Sequence, residues 1–183
     1  MLNDRSEYKW VKYIRSILDE TGNTNVWLNQ QLDKRKEKHI VQNLKDQELQ
    51  SIIAKASLST KGNIYVFLKG SWKIEYYLTS LDVALTRALI KFRTGNHRLP
   101  IEAGRYKKIP IENRKCRFCN SLGDEFHYII ECKHFYVSRK KYIDKKYYIR
   151  PNMDDFKSLM NCKNICQMTR LAIFVSIIMK NVK

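Results

Sequence analysis

The sequence predicts a mainly α-helical fold, a helical bundle into which a small zinc-binding segment with a Cys-Cys-His-Cys ligand set is inserted. Apolar residues recur at three- and four-residue spacing through most of the chain, which is typical of amphipathic helices. Only 6 glycines and 3 prolines occur in 183 residues, too few for a turn-rich β architecture. We expect a helical region over 1–95, a basic zinc-binding segment with its following helix over 96–150, and a C-terminal helical region over 151–183. The three regions are expected to pack as one compact unit.

The first region begins with an amphipathic helix. Asn3 or Asp4 is placed to cap it, and Gly22 is placed to end it. A second helical stretch starts at 26–28 and runs through the basic run 34–38 into a long helix that reaches Ala56. The apolar face predicted for the first helix consists of Trp10, Ile14, Ile17 and Leu18.

The middle of the chain is less regular in its pattern. Residues 64–68 are β-branched and aromatic but too few to assign, and a brief helix is expected over 73–78. Ser80 is placed to cap an amphipathic helix that stops near Gly95, with Arg93 on its polar side. From 96 to 115 we expect an irregular chain, because Pro100 and Pro110 interrupt any helix.

One further cap and the start of a last helix are predicted near the end of the chain. Asn152 is placed to cap one helix, and a last helix begins at about Asn164. Asp154 and Asp155 superficially resemble the paired aspartates of a polymerase. They open an amphipathic helix, so we interpret them as charges that favour the helix N-terminus.

The most informative motif has the spacing C-x2-C-x7-H-x4-C. Its four residues are Cys116, Cys119, His127 and Cys132. Three thiols and one imidazole form the ligand set of a tetrahedral structural zinc site in which every position is filled by protein. The C-x2-C half suits a tight loop, and the H-x4-C half suits the start of a helix that Asp124 can cap.

The alternative is that these are ordinary buried thiols of a reduced core. The charged neighbours of the motif make that a poor core sequence. A disulfide framework is disfavoured because five cysteines is an odd number and no signal peptide is recognisable. Cys162 and Cys166 lie four residues apart without a nearby His or Cys partner, and we interpret them as core thiols.

Charge is the strongest global signal. The chain carries 35 Lys and Arg against 18 Asp and Glu, a formal net charge of +17, which favours association with polyanions. Basic residues flank the motif on both sides, and aromatic residues are interleaved with them on its C-terminal side, a combination that nucleic-acid surfaces use. The candidate phosphate contacts are Arg105, Lys107, Lys108, Arg114, Lys115, Arg117, Lys133, Arg139, Lys140, Lys141, Lys145 and Lys146.

Several of these stretches resemble a known region. They are residues 89–106, the pair Cys116-x2-Cys119, residues 123–128 and Cys132, with weaker similarity at 17–30 and 45–48. Together they are similar to the zinc-binding region that follows the reverse transcriptase domain in non-LTR (LINE-like) retrotransposon proteins. The resemblance implies that Cys116, Cys119, His127 and Cys132 bind the metal and that the region binds template RNA or target DNA. It also implies a tail without the polymerase, with the reverse transcriptase of a related element as a further partner.

The leading interpretation is therefore a non-catalytic, zinc-stabilised module that contacts RNA or DNA mainly through phosphates. A zinc-braced helical domain that binds another protein is the alternative. We do not expect an enzyme, since no nucleophile–base pair, phosphate-binding glycine loop or open metal site can be assembled. His97 and His134 are the only loose candidates for acid–base chemistry.

The expected location is intracellular, nuclear or cytoplasmic, and neither secreted nor in a membrane. The longest apolar run, 171–179, is far shorter than the roughly 18–20 residues of a membrane span. The basic clusters near 34–38 and 139–146 fit nuclear residence.

Overall fold

The computed structural model describes residues 8–61, 63–69 and 73–182. The chain divides into two compact units, Met1–Lys55 and Ala56–Lys183. The boundaries predicted after residues 95 and 150 both fall inside the second unit.

The predicted fold class is confirmed: the described residues are mainly helical and contain no β-strand. The one strand-like feature in this part of the chain is an isolated antiparallel bridge between Lys115 and Leu122. Short 3-10 turns occur at Ile111–Asn113, Lys133–Phe135 and Lys145–Tyr147, and a π-helical turn at His127–Glu131. The α-helices are α1 (Lys9–Glu20), α2 (Thr24–Asn29), α3 (Lys34–Leu58), α4 (Asn63–Leu68), α5 (Tyr76–Ser80), α6 (Val83–Arg93), α7 (Pro100–Tyr106), α8 (Tyr136–Tyr142), α9 (Met153–Met160) and α10 (Ile165–Asn181).

The first unit has a small core. As predicted, α1 ends at Gly22, which has φ of 71° and lies in a Schellman motif where Asn23 N donates to Leu18 O at 2.7 Å. The buried core of the first unit is formed by Leu18, Val26 and Ile40. Trp10 and Ile14 were predicted on the inner face but are exposed. The cap predicted at Asn3 or Asp4 lies outside the described residues.

The core of the second unit is built around α10, which packs against α6 and α8. Arg93 was predicted on the polar side of α6, but its side chain is only 1% exposed. The guanidinium donates to Met160 O at 2.8 Å and pairs with Glu75 at 2.8 Å. Arg93 can therefore be buried at the end of α6, because Met160 and Glu75, which are far from it in the sequence, supply acceptors for its guanidinium. The buried apolar side chains of this core include Leu89, Phe92, Leu171, Phe174, Val175 and Ile178.

Residues 64–68, which the sequence pattern left unassigned, belong to helix α4. Two local predictions are corrected in this unit. The cap of α6 is Asp82, not Ser80: its carboxylate accepts from the backbone N–H of residues 84 and 85 at 2.9 and 3.1 Å. Pro100 begins α7 instead of preventing it, because the first helical position needs no N–H donor.

The predicted cap at Asn152 is confirmed, since its side chain accepts from Asp155 N. The last helix begins directly after Asn164, as predicted, and the Asn164 side chain caps it by accepting from Gln167 N. Of the helices in the described ranges, none alone has the length and apolar character to cross a membrane. The pair α9 and α10, bent by 108°, meets that test by length and composition only.

Candidate metal centre

The C-x2-C half of the motif forms the tight loop that its spacing predicts. Lys115 and Leu122 bridge across its base, and Cys116 N donates to Ser121 O at 2.7 Å. Asn120 turns the chain back with φ of 59°, a left-handed conformation that asparagine tolerates better than most residues, and donates from N to Cys116 O at 2.9 Å. The loop therefore directs two sulfurs to one side before the chain leaves it.

Gly123 fixes this loop against helix α7. A Cβ atom at this position would lie 2.7 Å from Cγ of Pro100, closer than side chains tolerate. Both backbone polar groups of Gly123 form hydrogen bonds. Its N donates to Arg114 O at 2.8 Å, and its carbonyl accepts from Ile101 N at 3.1 Å. Close approach to Pro100 therefore requires glycine at this position.

The H-x4-C half forms a wider turn than the α-helix that its spacing suggested. Asp124 caps it as predicted, accepting from His127 N at 2.7 Å. Residues His127–Glu131 form a π-helical turn in which Cys132 N donates to His127 O at 2.7 Å. Residues five apart lie about 140° apart around an α-helix. The i to i+5 pairing of a π turn instead allows both ligands to face one point.

The four ligand atoms of the motif converge. All lie within 4.8 Å of one another, and Cys116, His127 and Cys132 are buried while Cys119 is half-buried. The Cys132 sulfur lies 3.8 Å from the sulfurs of both Cys116 and Cys119, and Cys119 Sγ lies 3.0 Å from His127 Nε2. The group can therefore hold a metal ion.

Two sulfur–sulfur distances fit a tetrahedral ion bound by sulfur. Two thiolates on one zinc ion at about 2.3 Å each lie about 3.8 Å apart, the separation found for two sulfur pairs. The 3.0 Å between Cys119 Sγ and His127 Nε2 is shorter than the about 3.6 Å expected for two such ligands. All five cysteines are within the described ranges, and all are free thiols.

The second nitrogen of the ligand imidazole has its own partner. Nδ1 of His127 lies 3.4 Å from Oε2 of Glu131, one turn further along. A carboxylate in this position orients a metal-binding imidazole and fixes the ring nitrogen that faces the metal. Glu131 is not among the residues predicted from the sequence. The signal for it was an acidic residue four positions after the candidate ligand His127 in a segment predicted to be helical.

The thiols influence one another. Burial opposes ionisation of Cys116, but polar contacts, first with the Tyr128 side chain and then with the Phe118 backbone, lower the pKa of its thiol to about 6. Burial raises the pKa of the Cys132 thiol to about 12, and the nearby Cys116 sulfur adds to this. Opposite shifts are expected for two sulfurs 3.8 Å apart, because the first thiolate to form repels the charge of the second. A bound cation would remove this repulsion.

Arg139 is the clearest correction to the predicted phosphate contacts. Its side chain is only 2% exposed, so it is not available to a phosphate. Nε donates to Ile129 O at 2.7 Å, and an Nη atom donates to Cys132 O at 2.8 Å. Arg139 therefore joins helix α8 to the π turn and to the backbone of Cys132.

Three other candidates, all arginines, already contact other parts of the protein. Arg105 is half-buried and pairs with Glu102 at 2.8 Å. Arg114 is half-buried and donates to Ile109 O and Ile101 O at 2.8 and 3.1 Å. Arg117 is exposed, donates to Asn181 O and lies over the Phe118 ring. The remaining candidates are exposed lysines on both sides of the motif: Lys107, Lys108, Lys115, Lys133, Lys140, Lys141, Lys145 and Lys146.

The interleaved aromatic residues divide between core and surface. Phe135 and Tyr147 are buried, whereas Tyr136 is exposed with the ammonium of Lys140 5.5 Å from its ring centroid. On the loop of Cys116 and Cys119, Phe118 stacks on His134 with ring centroids 3.8 Å apart.

His97 has a structural environment. Its Nε2 lies 2.9 Å from a carboxylate oxygen of Glu125, both side chains are nearly inaccessible, and its Nδ1 accepts from Leu99 N at 3.3 Å. The pair joins the chain before α7 to the segment that carries the Cys3His cluster.

No family model, curated protein or solved structure matches this chain.

Proposed function

We propose that this protein is a non-catalytic, zinc-stabilised nucleic-acid-binding module that contacts RNA or DNA mainly through phosphates. The observation that carries the proposal is the buried Cys3His cluster with exposed lysines on both sides of it in the sequence. The resemblance to the tail of non-LTR reverse transcriptases supports the same function. The reverse transcriptase of a related element, and a nuclear or cytoplasmic location, follow as parts of the proposal.

Zinc is the metal that the donor set favours. Three thiolates and one imidazole in tetrahedral arrangement are typical of structural zinc, whereas magnesium and calcium prefer oxygen ligands. A bound zinc ion would join the loop of Cys116 and Cys119 to the π turn of His127 and Cys132. Because protein atoms fill all four positions, no position remains for a reacting water, and the site stabilises structure.

The charge around the cluster supports this assignment. Three thiolates and one divalent cation sum to −1. The buried guanidinium of Arg139, which contacts the carbonyl of Cys132, supplies a positive charge beside it. Burial lowers the pKa of Arg139, and attraction to Cys132 acts in the opposite direction. A buried cation without a carboxylate contact among the described residues is compatible with an anionic metal cluster next to it.

The exposed cations support binding to phosphates. The chain carries a net charge of +17, and each phosphate neutralised on duplex DNA releases counterions and contributes about −0.9 to the log–log salt slope. Lys140 and Lys141 lie on the outer side of α8, whose inner side carries Arg139. Helix α8 therefore links the metal cluster to the proposed contact surface.

Metal content and salt dependence test the proposal. Mass spectrometry is expected to find one zinc per chain, lost in the Cys119→Ser, His127→Ala double variant. Fluorescence anisotropy with labelled RNA and DNA is expected to give a steep loss of affinity with rising salt. Absence of metal, or an affinity that does not respond to salt, would contradict the proposal.

A charge variant sharpens the test. Replacing Lys140, Lys141, Lys145 and Lys146 by alanine is expected to reduce the salt slope by about 0.9 for each phosphate that the variant no longer neutralises. A matched control removes an equal number of positive charges, four, from exposed positions of α3. Equal effects of the two variants would indicate attraction by net charge without a defined surface. The control replaces Lys34, Lys38, Lys45 and Lys55 by alanine.

One observation favours the alternative, a domain that binds another protein. The first unit exposes large apolar side chains, among them Trp10, Tyr13 and Leu28, which are 61%, 67% and 72% exposed. Exposed apolar surface of this kind can mark a protein interface. The four-lysine variant of the second unit discriminates the two functions, because it should weaken nucleic-acid binding and leave an apolar interface intact.

A further inference from the structure

The second unit contains an open cavity of about 680 Å³ beside the metal segment. It lies between the end of α6, helix α7 and the first cysteine loop. Its size falls within the range of ligand-binding pockets, about 300–1,000 Å³. Gly95, with φ of 65°, helps to form it, because a Cβ atom there would lie 3.0 Å from Lys61 O.

The cavity is positively charged. Lys61, Arg98 and Lys107 line it, are exposed, and have no ion-pair partner in the part of the chain that the structure describes. Its acidic residue, Glu102, is already neutralised by Arg105 at 2.8 Å. An anion would therefore meet three cations without having to displace a carboxylate.

One wall of the cavity is apolar and carries an aromatic ring. Pro100 and Ala103 line it together with Tyr106, at the C-terminal end of α7. Tyr106 is 86% exposed, and its ring stacks on no other aromatic side chain within 8–61, 63–69 and 73–182. A large exposed ring beside unpaired cations is the combination that binds a base and its phosphate.

We propose that this cavity binds one unpaired nucleotide of a single strand, with the base stacked on Tyr106 and the adjoining phosphates held by Lys61, Arg98 and Lys107. The inference rests on the proposed nucleic-acid function and gives it a substrate preference, for single-stranded over duplex nucleic acid. A base inside a duplex is stacked on both faces and offers no free ring face to a tyrosine. Lys61, Arg98 and Tyr106 are not among the contacts predicted from the sequence.

Anisotropy with two probes tests the inference on metal-loaded protein. One probe is a labelled single strand of about 16 nucleotides, and the other is the same strand annealed to its complement. Tyr106→Ala is expected to weaken single-strand binding by about 5- to 100-fold and to leave duplex binding unchanged. Tyr106→Phe keeps the ring and should bind like the wild type.

Two further variants separate stacking from charge and from general effects. Tyr13→Ala removes a comparably exposed ring from the first unit and is expected to change neither affinity. The Lys61→Ala, Arg98→Ala double variant keeps the ring and should weaken single-strand binding more than duplex binding. Because Tyr106 is exposed, its replacement should leave the thermal unfolding curve unchanged.

The outcomes distinguish the two proposals. Wild-type protein that binds neither probe at low salt overturns the nucleic-acid function, and this inference with it. This inference alone is overturned if the wild-type protein binds both probes but Tyr106→Ala either binds them with unchanged affinity or loses the same factor in affinity for both.

Discussion

Replacing Arg139 by methionine tests whether this residue is structural or contacts nucleic acid. Methionine retains the length and apolar stem of the side chain but removes the donors that reach Ile129 O and Cys132 O at 2.7 and 2.8 Å. Both carbonyls belong to the turn that carries His127 and Cys132. We therefore expect Arg139→Met to destabilise the metal-loaded second unit and to weaken its hold on the metal.

The magnitude follows from the two carbonyls. Each buried acceptor left without a donor costs about 1–3 kcal/mol, which gives about 2–6 kcal/mol for the pair. Methionine also removes the cost of burying a charge, a cost that is evident in the lowered pKa of Arg139. We therefore expect the lower half of the range, a loss of about 2–4 kcal/mol in the free energy of unfolding.

Urea denaturation of the metal-loaded protein measures this loss. Metal release to a chromogenic chelator reports on the second unit, and far-UV circular dichroism reports on the helices of both units. Lys140→Met is the matched control, because it removes the same charge from an exposed neighbouring position and should change stability by no more than about 0.5 kcal/mol. Equal stability of the two variants, or loss of nucleic-acid affinity by Arg139→Met at unchanged stability, would refute the structural role.

Three smaller predictions follow from individual contacts. Glu131→Gln should weaken metal affinity by about tenfold in a chelator competition, since its contact with His127 is long at 3.4 Å; an unchanged affinity would mean that packing alone orients the ring. Gly123→Ala should lower stability by about 1–3 kcal/mol in thermal unfolding, because its Cβ would lie 2.7 Å from Pro100; a neutral result would show that α7 can shift. Asn152→Ala should cost about 1 kcal/mol through loss of the α9 cap, measured by urea denaturation, with no loss if water replaces the side chain.

The sequence predicted the features that depend on neighbours along the chain. The cap at Asn152 and the helix end at Gly22 were predicted correctly, because each depends on hydrogen bonds within a few residues. The metal cluster belongs to the same class. Its four ligands lie between Cys116 and Cys132, so their spacing contains most of the information about the site.

Predictions from local sequence were wrong or incomplete where packing with other parts of the chain decided the backbone conformation. Pro100 was predicted to interrupt a helix, yet it begins α7 and packs against Gly123. The π turn at His127–Glu131 was not predicted, because its sequence is compatible with an ordinary helix and its wider geometry suits the convergence of the ligands.

Tertiary structure alone decided which charged residues face solvent. Arg93 and Arg139 both looked like surface cations, but the first meets Met160 O, 67 residues away, and the second meets the turn before α8. The cavity of Tyr106 likewise brings together Lys61 and Lys107 from separate parts of the chain. Ligand spacing and helix caps are short-range properties, so a sequence displays them to within a few residues, as the cap of α6 at Asp82 in place of Ser80 illustrates. Burial of a charge depends on acceptors supplied from elsewhere in the fold, and only the assembled structure shows them.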